Sequence, residues 1–262
     1  MRSLIILSIT AVALFGCTKV IDVDLNEANE KYVIEANYSA EDSTVRVLIT
    51  KTSSFFDNNA SPKVNNATVT IIDATGTPTT VNFVGDGYYE LTGYVPIFNS
   101  TYTLNVVADG IGFTADCYLP NPVQLSPITY EYFPPFFGGE DGYAAYLNFN
   151  DPADTVNYYL IVLGKNSKSW DNLSDILSQD DQLTDGNFVE RPMFGRKFYQ
   201  IDDTVNMELR SVEKRAYDYT LEAQSIVGSQ SGAPANPTNN WSGDALGFFN
   251  AYSSSRQTVV VQ

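Results

Sequence analysis

Between residues 31 and 120 the chain alternates apolar and polar positions in short runs, and each run ends on a turn signal. The runs are Tyr32–Tyr38, Val45–Thr52, Ala67–Asp73, Thr79–Val84, Tyr88–Leu91, Tyr102–Ala108 and Phe113–Leu119. In the second run Val45, Val47 and Ile49 point one way while Arg46, Leu48 and Thr50 point the other, the period of a strand with one buried face. Asn58-Asn59, Asp73-Ala74-Thr75-Gly76, Gly85-Asp86-Gly87 and Asp109-Gly110 supply turns. About seven strands with turns every 8–12 residues predict an Ig-like β-sandwich over residues 31–122. The order Val64, Ala67, Val69, Ile71, Gly76, Gly87-Tyr88-Tyr89, Tyr102, Leu104 resembles transthyretin-like modules, which serve as scaffolds more often than as catalysts.

Pro120-Asn121-Pro122 and Pro127 interrupt the pattern, and the domain junction is placed near 121–126. Residues 123–262 read as a β-rich α+β domain. Ile128–Phe133, Tyr143–Phe149, Asn157–Leu163, Phe198–Ile201, Val205–Arg210 and Ala251–Val261 are its expected strands. Trp170–Leu177 is a short helix candidate, and 178–197 is expected to be loop. In 212–227, Val212, Ala216, Tyr219, Ala223, Ile226 and Val227 recur at helical spacing, with Ser211 as N-cap and Gly228 as terminator. The whole is mainly β with one or two helices.

The first 17 residues, MRSLIILSITAVALFGC, have a basic head, a short apolar run and a small residue before Cys17. That is the layout of a secretory signal over 1–16, and the run is shorter than the ~20 apolar residues that span a bilayer. Leu14-Phe15-Gly16-Cys17 resembles the bacterial lipobox, with Phe15 bulkier than usual at its position. Cys17 is therefore the expected lipidation site. Each buried methylene contributes about 0.8 kcal/mol, so several acyl chains make such an attachment effectively permanent. Residues 17–30 form a lipidated, acidic tether. Asp22, Asp24 and Asn26 imitate the start of a calcium loop, but Glu27 and Val33 occupy its glycine and glutamate positions.

A net charge of −16 argues against nucleic acid and against docking on anionic lipid by charge. There is no histidine, which removes Ser-His-Asp and Cys-His catalysis and imidazole metal sites. With lipid on Cys17, Cys117 has no disulfide partner and reads as a buried small hydrophobe. No catalytic residue, metal or cofactor is expected.

Phe136 and Phe137, between two prolines and two glycines, are candidate partner-contact residues on a loop. Trp170 and Trp241 lie near polar stretches and are candidate ligand-contact residues for a sugar; each also fits the edge of a core. Asp180-Asp181 and Asp202-Asp203 could hold calcium or act as paired carboxylates, although turn carboxylates are the commoner explanation. Gly164-Lys165 lacks the spacing of a phosphate loop. Asp42-Ser43-Thr44, Asp154-Thr155-Val156 and Asp203-Thr204-Val205 resemble the O-glycosylation triplets of Bacteroidota.

Taken in order, Cys17, Ile21-Asp22-Val23-Asp24-Leu25, Lys31-Tyr32-Val33-Ile34-Glu35, Val64–Val69, Gly87-Tyr88-Tyr89, Asp151-Pro152-Ala153-Asp154, Asn157-Tyr158-Tyr159 and Ala245–Ala251 resemble a Bacteroidota lipoprotein family catalogued as domain-of-unknown-function family 4249. Its members are typically encoded beside TonB-dependent outer-membrane receptors. The resemblance implies a non-enzymatic accessory lipoprotein on the outer membrane, at the cell surface or on the periplasmic face, whose partner is a TonB-dependent β-barrel receptor. The alternative is a surface adhesin or glycan-binding lipoprotein. A carboxylate-dependent hydrolase ranks third.

Overall fold

Strands β1 (Tyr32–Ser39) and β2 (Thr44–Lys51) pair antiparallel, and their alternating apolar residues face one core. Ile34, Tyr38, Val45, Val47 and Ile49 are fully buried there. The computed structural model describes residues 30–53, 60–135, 141–193, 198–228 and 236–262; the expected signal, Cys17, most of the tether, Phe136 and Phe137 lie outside the described residues.

The opposite layer is built from β3 (Thr68–Ile72), β6 (Ser100–Ala108) and β7 (Ile111–Leu119), while β5 (Tyr88–Thr92) joins β2. Strand β4 (Pro78–Gly85) links the layers. Its first half pairs with β3 and its second half with β5, with an irregularity between Phe83 and Gly85. A bulge bends a strand and increases its twist, which lets one strand serve two layers. Tyr38 packs edge-on against Tyr102 at 5.0 Å and donates to the Tyr94 carbonyl at 2.9 Å, so a polar tip is satisfied inside an apolar core.

The second core forms between two further layers. One holds β8 (Thr129–Phe133), β9 (Gly142–Asn150) and β13 (Phe188–Pro192) in the order β13-β9-β8. The other holds β10 (Tyr158–Lys165), β11 (Lys168–Trp170), β12 (Leu177–Asp180), β14 (Thr204–Val212) and the end of β15 (Phe249–Val260). Tyr159, Ile161 and Leu163 of β10 face this core, whereas Leu160 faces helix α1 (Lys214–Gly228) on the other side. Cover on both faces explains why β10 reads as an unbroken apolar run. The helix is amphipathic and lays Ala216 and Tyr219 against Leu160 and Phe248.

Strand β15 belongs to both cores. Residues 249–252 run parallel to β1, and 253–260 run antiparallel to β14. Trp241, Ala245, Phe249 and Ala251 complete the first core although they follow the second in sequence. Among the described residues, twelve strands thus form one folded sheet, and three form another.

The mainly β class is as expected, with one helix among the described residues. Local expectations differ in four places. Trp170–Leu177 is not a helix: Trp170 ends β11, Leu177 opens β12, and only a turn held by the Asn172 carbonyl lies between. A segment this short gains little against the cost of nucleating a helix, and Asp171, Asn172, Ser174 and Asp175 favour turns. The segment 178–197, expected as loop, contains most of β12 and all of β13, both edge strands whose outer faces tolerate polar residues. Phe198–Ile201 contributes a single bridge, Tyr143 to Tyr199, rather than a strand. Ser211 lies within β14; the N-cap position is filled by Glu213, whose carbonyl accepts from Ala216 and Tyr217 at 3.1 Å.

Candidate functional site

Strand β9 stops at Asn150, and Asp151-Pro152 turns the chain toward β10. A second turn, 181–187, packs beside it between β12 and β13. Thr184 and Asp185 donate backbone N–H groups to the Asp181 carbonyl at 2.8 and 2.9 Å, and Asp151 donates to the Asn187 carbonyl at 3.0 Å. Gly186 sits at φ 71°, and a Cβ there would meet Ala153 at 3.0 Å, so the close approach of the two turns suits glycine.

This juxtaposition brings Asp151, Asp181 and Asp185 together, with one carboxylate oxygen of each within 4.8 Å of the others. Asp151 is 4% exposed and Asp181 5%. Tyr159 donates to Asp151 Oδ1 at 2.5 Å, the Asn157 amide donates to Asp181 Oδ2 at 2.5 Å, and the Asp154 amide donates to Asp185 Oδ1 at 3.1 Å. Burial raises the pKa of Asp151 above the ordinary carboxylate value, with the charges of Asp181 and Asp185 adding to the rise; the Tyr159 hydroxyl and the nearby Gly186 amide oppose it. Burial and the bond to Asp151 in turn push the Tyr159 phenol well up.

In the sequence, Asp181 stands out only beside Asp180, and Asp151 only within the family motif Asp151-Pro152-Ala153-Asp154. Asp180 is not in the cluster. The spacing Asp181-x-x-x-Asp185-Gly186 was the one local signal available; Asp151 arrives from a different turn and could not be paired by spacing.

The other candidates fall elsewhere. Trp170 is 7% exposed and stacks on Tyr199 at 6.0 Å in the second core. Trp241 is 6% exposed in the first core, and its ring N–H donates to the Ile34 carbonyl at 3.0 Å. Neither ring offers an open face for a sugar, and the two belong to different cores. Phe136 and Phe137 lie outside the described residues. Asp203 is a turn carboxylate bound by Lys165 at 2.5 Å and by the Gln200 amide at 2.6 Å. Cys117 is buried, its sulfur accepts from the Ala251 amide at 3.1 Å, and burial pushes its thiol pKa well up, the state of an inert structural cysteine.

A second feature lies where the two sandwiches meet. Arg256 on β15 makes a two-pronged bond to Asp42 at 2.7 Å and a further contact to Glu208 at 2.9 Å; Glu208 also pairs with Arg210 at 2.7 Å. The Arg210 guanidinium lies over the Tyr252 ring at 4.7 Å. Beside this network, an open cleft of about 360 Å³ runs between α1 and the outer face of β1, lined by Glu35, Asn37, Asp171, Arg210, Tyr219 and Asn250 among others.

Two β-sandwiches sharing one long strand, with one helix among the described residues, define a mainly β protein that carries a carboxylate cluster and a polar junction cleft. The chain matches the family described as Domain of unknown function (DUF4249) over residues 18–258, and it belongs to that family. No curated protein matches it.

Proposed function

We propose that this protein is a non-enzymatic lipoprotein, held on the bacterial outer membrane through lipid on Cys17, that acts as an accessory or binding partner of a TonB-dependent receptor in nutrient uptake. The first 17 residues support the anchor, and the family resemblance supports the partner. The observation that carries the arrangement is the direction of β15. It runs parallel to β1 and continues to Val260, past the register of Ser39, the last residue of β1. At about 3.3 Å per residue it is roughly 36 Å long. The chain enters the fold at Tyr32, beside Asp109, and the second core is built beyond the other end of β1. A lipid on the N-terminal side of Tyr32 would thus leave the first sandwich as a stalk and the second unit as the distal, partner-facing part.

Co-purification from native membranes in mild detergent tests this reading. Recovery with a stoichiometric β-barrel receptor is expected, and repeated recovery of the chain alone would remove it. The second reading, a glycan-binding surface protein, is favoured only by the junction cleft, where Tyr219 stands beside Asn37, Asp171 and Arg210. Glycan-array binding that disappears on Tyr219→Ala would move the conclusion there.

A further inference from the structure

We propose that Asp151, Asp181 and Asp185 bind a hard divalent cation, Ca²⁺ in preference to Mg²⁺, which ties the 181–187 turn to the end of β9. Two oxygens that each lie about 2.4 Å from one Ca²⁺ can be no further apart than about 4.8 Å. The three carboxylates meet that limit as they stand. The frame has already fixed them: one oxygen of each accepts a hydrogen bond, from Tyr159, the Asn157 amide and the Asp154 amide respectively.

Charge supplies the driving force. Among the described residues no lysine or arginine forms an ion pair with any of the three. Burying uncompensated carboxylates is costly, and a cation or a proton must relieve it. The hydrogen bonding of Asp151 favours the cation. Asp151 is 4% exposed, yet its second oxygen, Oδ2, has no hydrogen-bond partner. In the same turn as Asp181 and Asp185, the Thr184 hydroxyl, a neutral oxygen outside the acidic trio, is also buried without a partner. Buried polar atoms are nearly always satisfied, and a cation held among the three carboxylates would satisfy Asp151 Oδ2. An irregular set of loop oxygens suits Ca²⁺, which accepts variable geometry, better than Mg²⁺, which demands an octahedron and keeps its water. Extracellular Ca²⁺ modules bind at about 0.1–1 mM, the range expected for this site.

The test uses the full-length chain in mild detergent after chelator treatment. Thermal unfolding is followed with Ca²⁺, Mg²⁺ or chelator, and Tb³⁺ luminescence excited through tyrosine reports proximity to Tyr159. At about ten times the dissociation constant, Ca²⁺ should raise the unfolding midpoint by about 2–6 °C. Tb³⁺ should show sensitised emission that Ca²⁺ displaces. Asp185→Asn and Asp181→Asn should abolish both responses, and Asp202→Asn should keep them. If Asp181→Asn does not fold, the exposed Asp185→Asn decides. No response at about 10 mM Ca²⁺, or an undiminished response in Asp185→Asn, overturns the site; an equal response to Mg²⁺ overturns the preference for Ca²⁺.

Discussion

Arg256, on the shared strand β15, holds both carboxylate oxygens of Asp42 at 2.7 Å, so the turn between β1 and β2 is bonded to a residue that pairs with the second sandwich. Two-pronged guanidinium–carboxylate bonds are stronger and more directional than single contacts. This one holds Asp42 down to a pKa of about 2, chiefly through the Arg256 hydrogen bonds. Because the folded value lies below the unfolded one near 3.9, the pair stabilises the fold above about pH 4 and loses that contribution as pH falls toward 2. Asp42 is about half exposed, so solvent screening limits the effect. Asp42→Asn should cost about 0.5–1.5 kcal/mol at neutral pH. The difference from the parent should vanish near pH 2 in urea titrations followed by circular dichroism.

Trp241 ties the segment before β15 to the first core. Removing its side chain would leave a large cavity and an unpaired Ile34 carbonyl, and Trp241→Ala should cost about 3–5 kcal/mol. Trp241→Phe keeps most of the volume and loses the hydrogen bond, at about 1–2 kcal/mol. Nearby, Gly247 sits at φ 94° with the Ile34 carbonyl oxygen where a Cβ would stand, so Gly247→Ala should be at least as damaging as Trp241→Phe. Denaturant midpoints of the three variants check the order; a Gly247→Ala protein as stable as the parent would contradict it.

Strand β2 and Trp241 mark two extremes of what the sequence makes legible. Period-two alternation in Val45, Val47 and Ile49 exposed β2 directly, because a strand with one wet face writes its burial into every second position. Trp241 gave no such signal. Its partner Ile34 is some two hundred residues away, and nothing local tells a core tryptophan from an exposed platform. Edge strands β12 and β13 were hidden for a related reason: residues such as Ser178, Asp180 and Glu190 meet solvent and carry no alternation. Asp151, Asp181 and Asp185 became a site only when two turns met, a contact set by tertiary packing of β9 against β13. Composition did limit the chemistry in advance, since a chain without histidine cannot build an imidazole site.

In the anchoring proposed above, localisation depends on Cys17. Metabolic labelling with a clickable palmitate analogue should mark the parent chain, and Cys17→Ser should abolish the label. Losing the acyl chains removes about 0.8 kcal/mol of membrane affinity per methylene, so the variant should also leave the washed membrane fraction. A Cys17→Ser chain that stays with membranes after a high-salt wash would show that another contact holds it there.

Asp151 gives the sign opposite to that of Asp42. Its carboxyl pKa is raised in the fold, first by burial and then by Asp181 and Asp185, so the folded protein binds this proton more tightly than the unfolded chain. In chelator, the group therefore destabilises the fold progressively as pH rises from about 4 through its folded pKa, and the loss is complete above that value. Asp151→Asn removes the charge and keeps an oxygen that can accept from Tyr159. At pH 7 without divalent cations the variant should be more stable than the parent, and the gain should disappear by about pH 4. Adding Ca²⁺ should reverse the order, because the parent gains the ion and the variant does not. Paired urea titrations at pH 4 and pH 7, with chelator and with Ca²⁺, separate the terms: a variant less stable than the parent at pH 7 in chelator would mean that the Asp151 charge is already compensated within the fold.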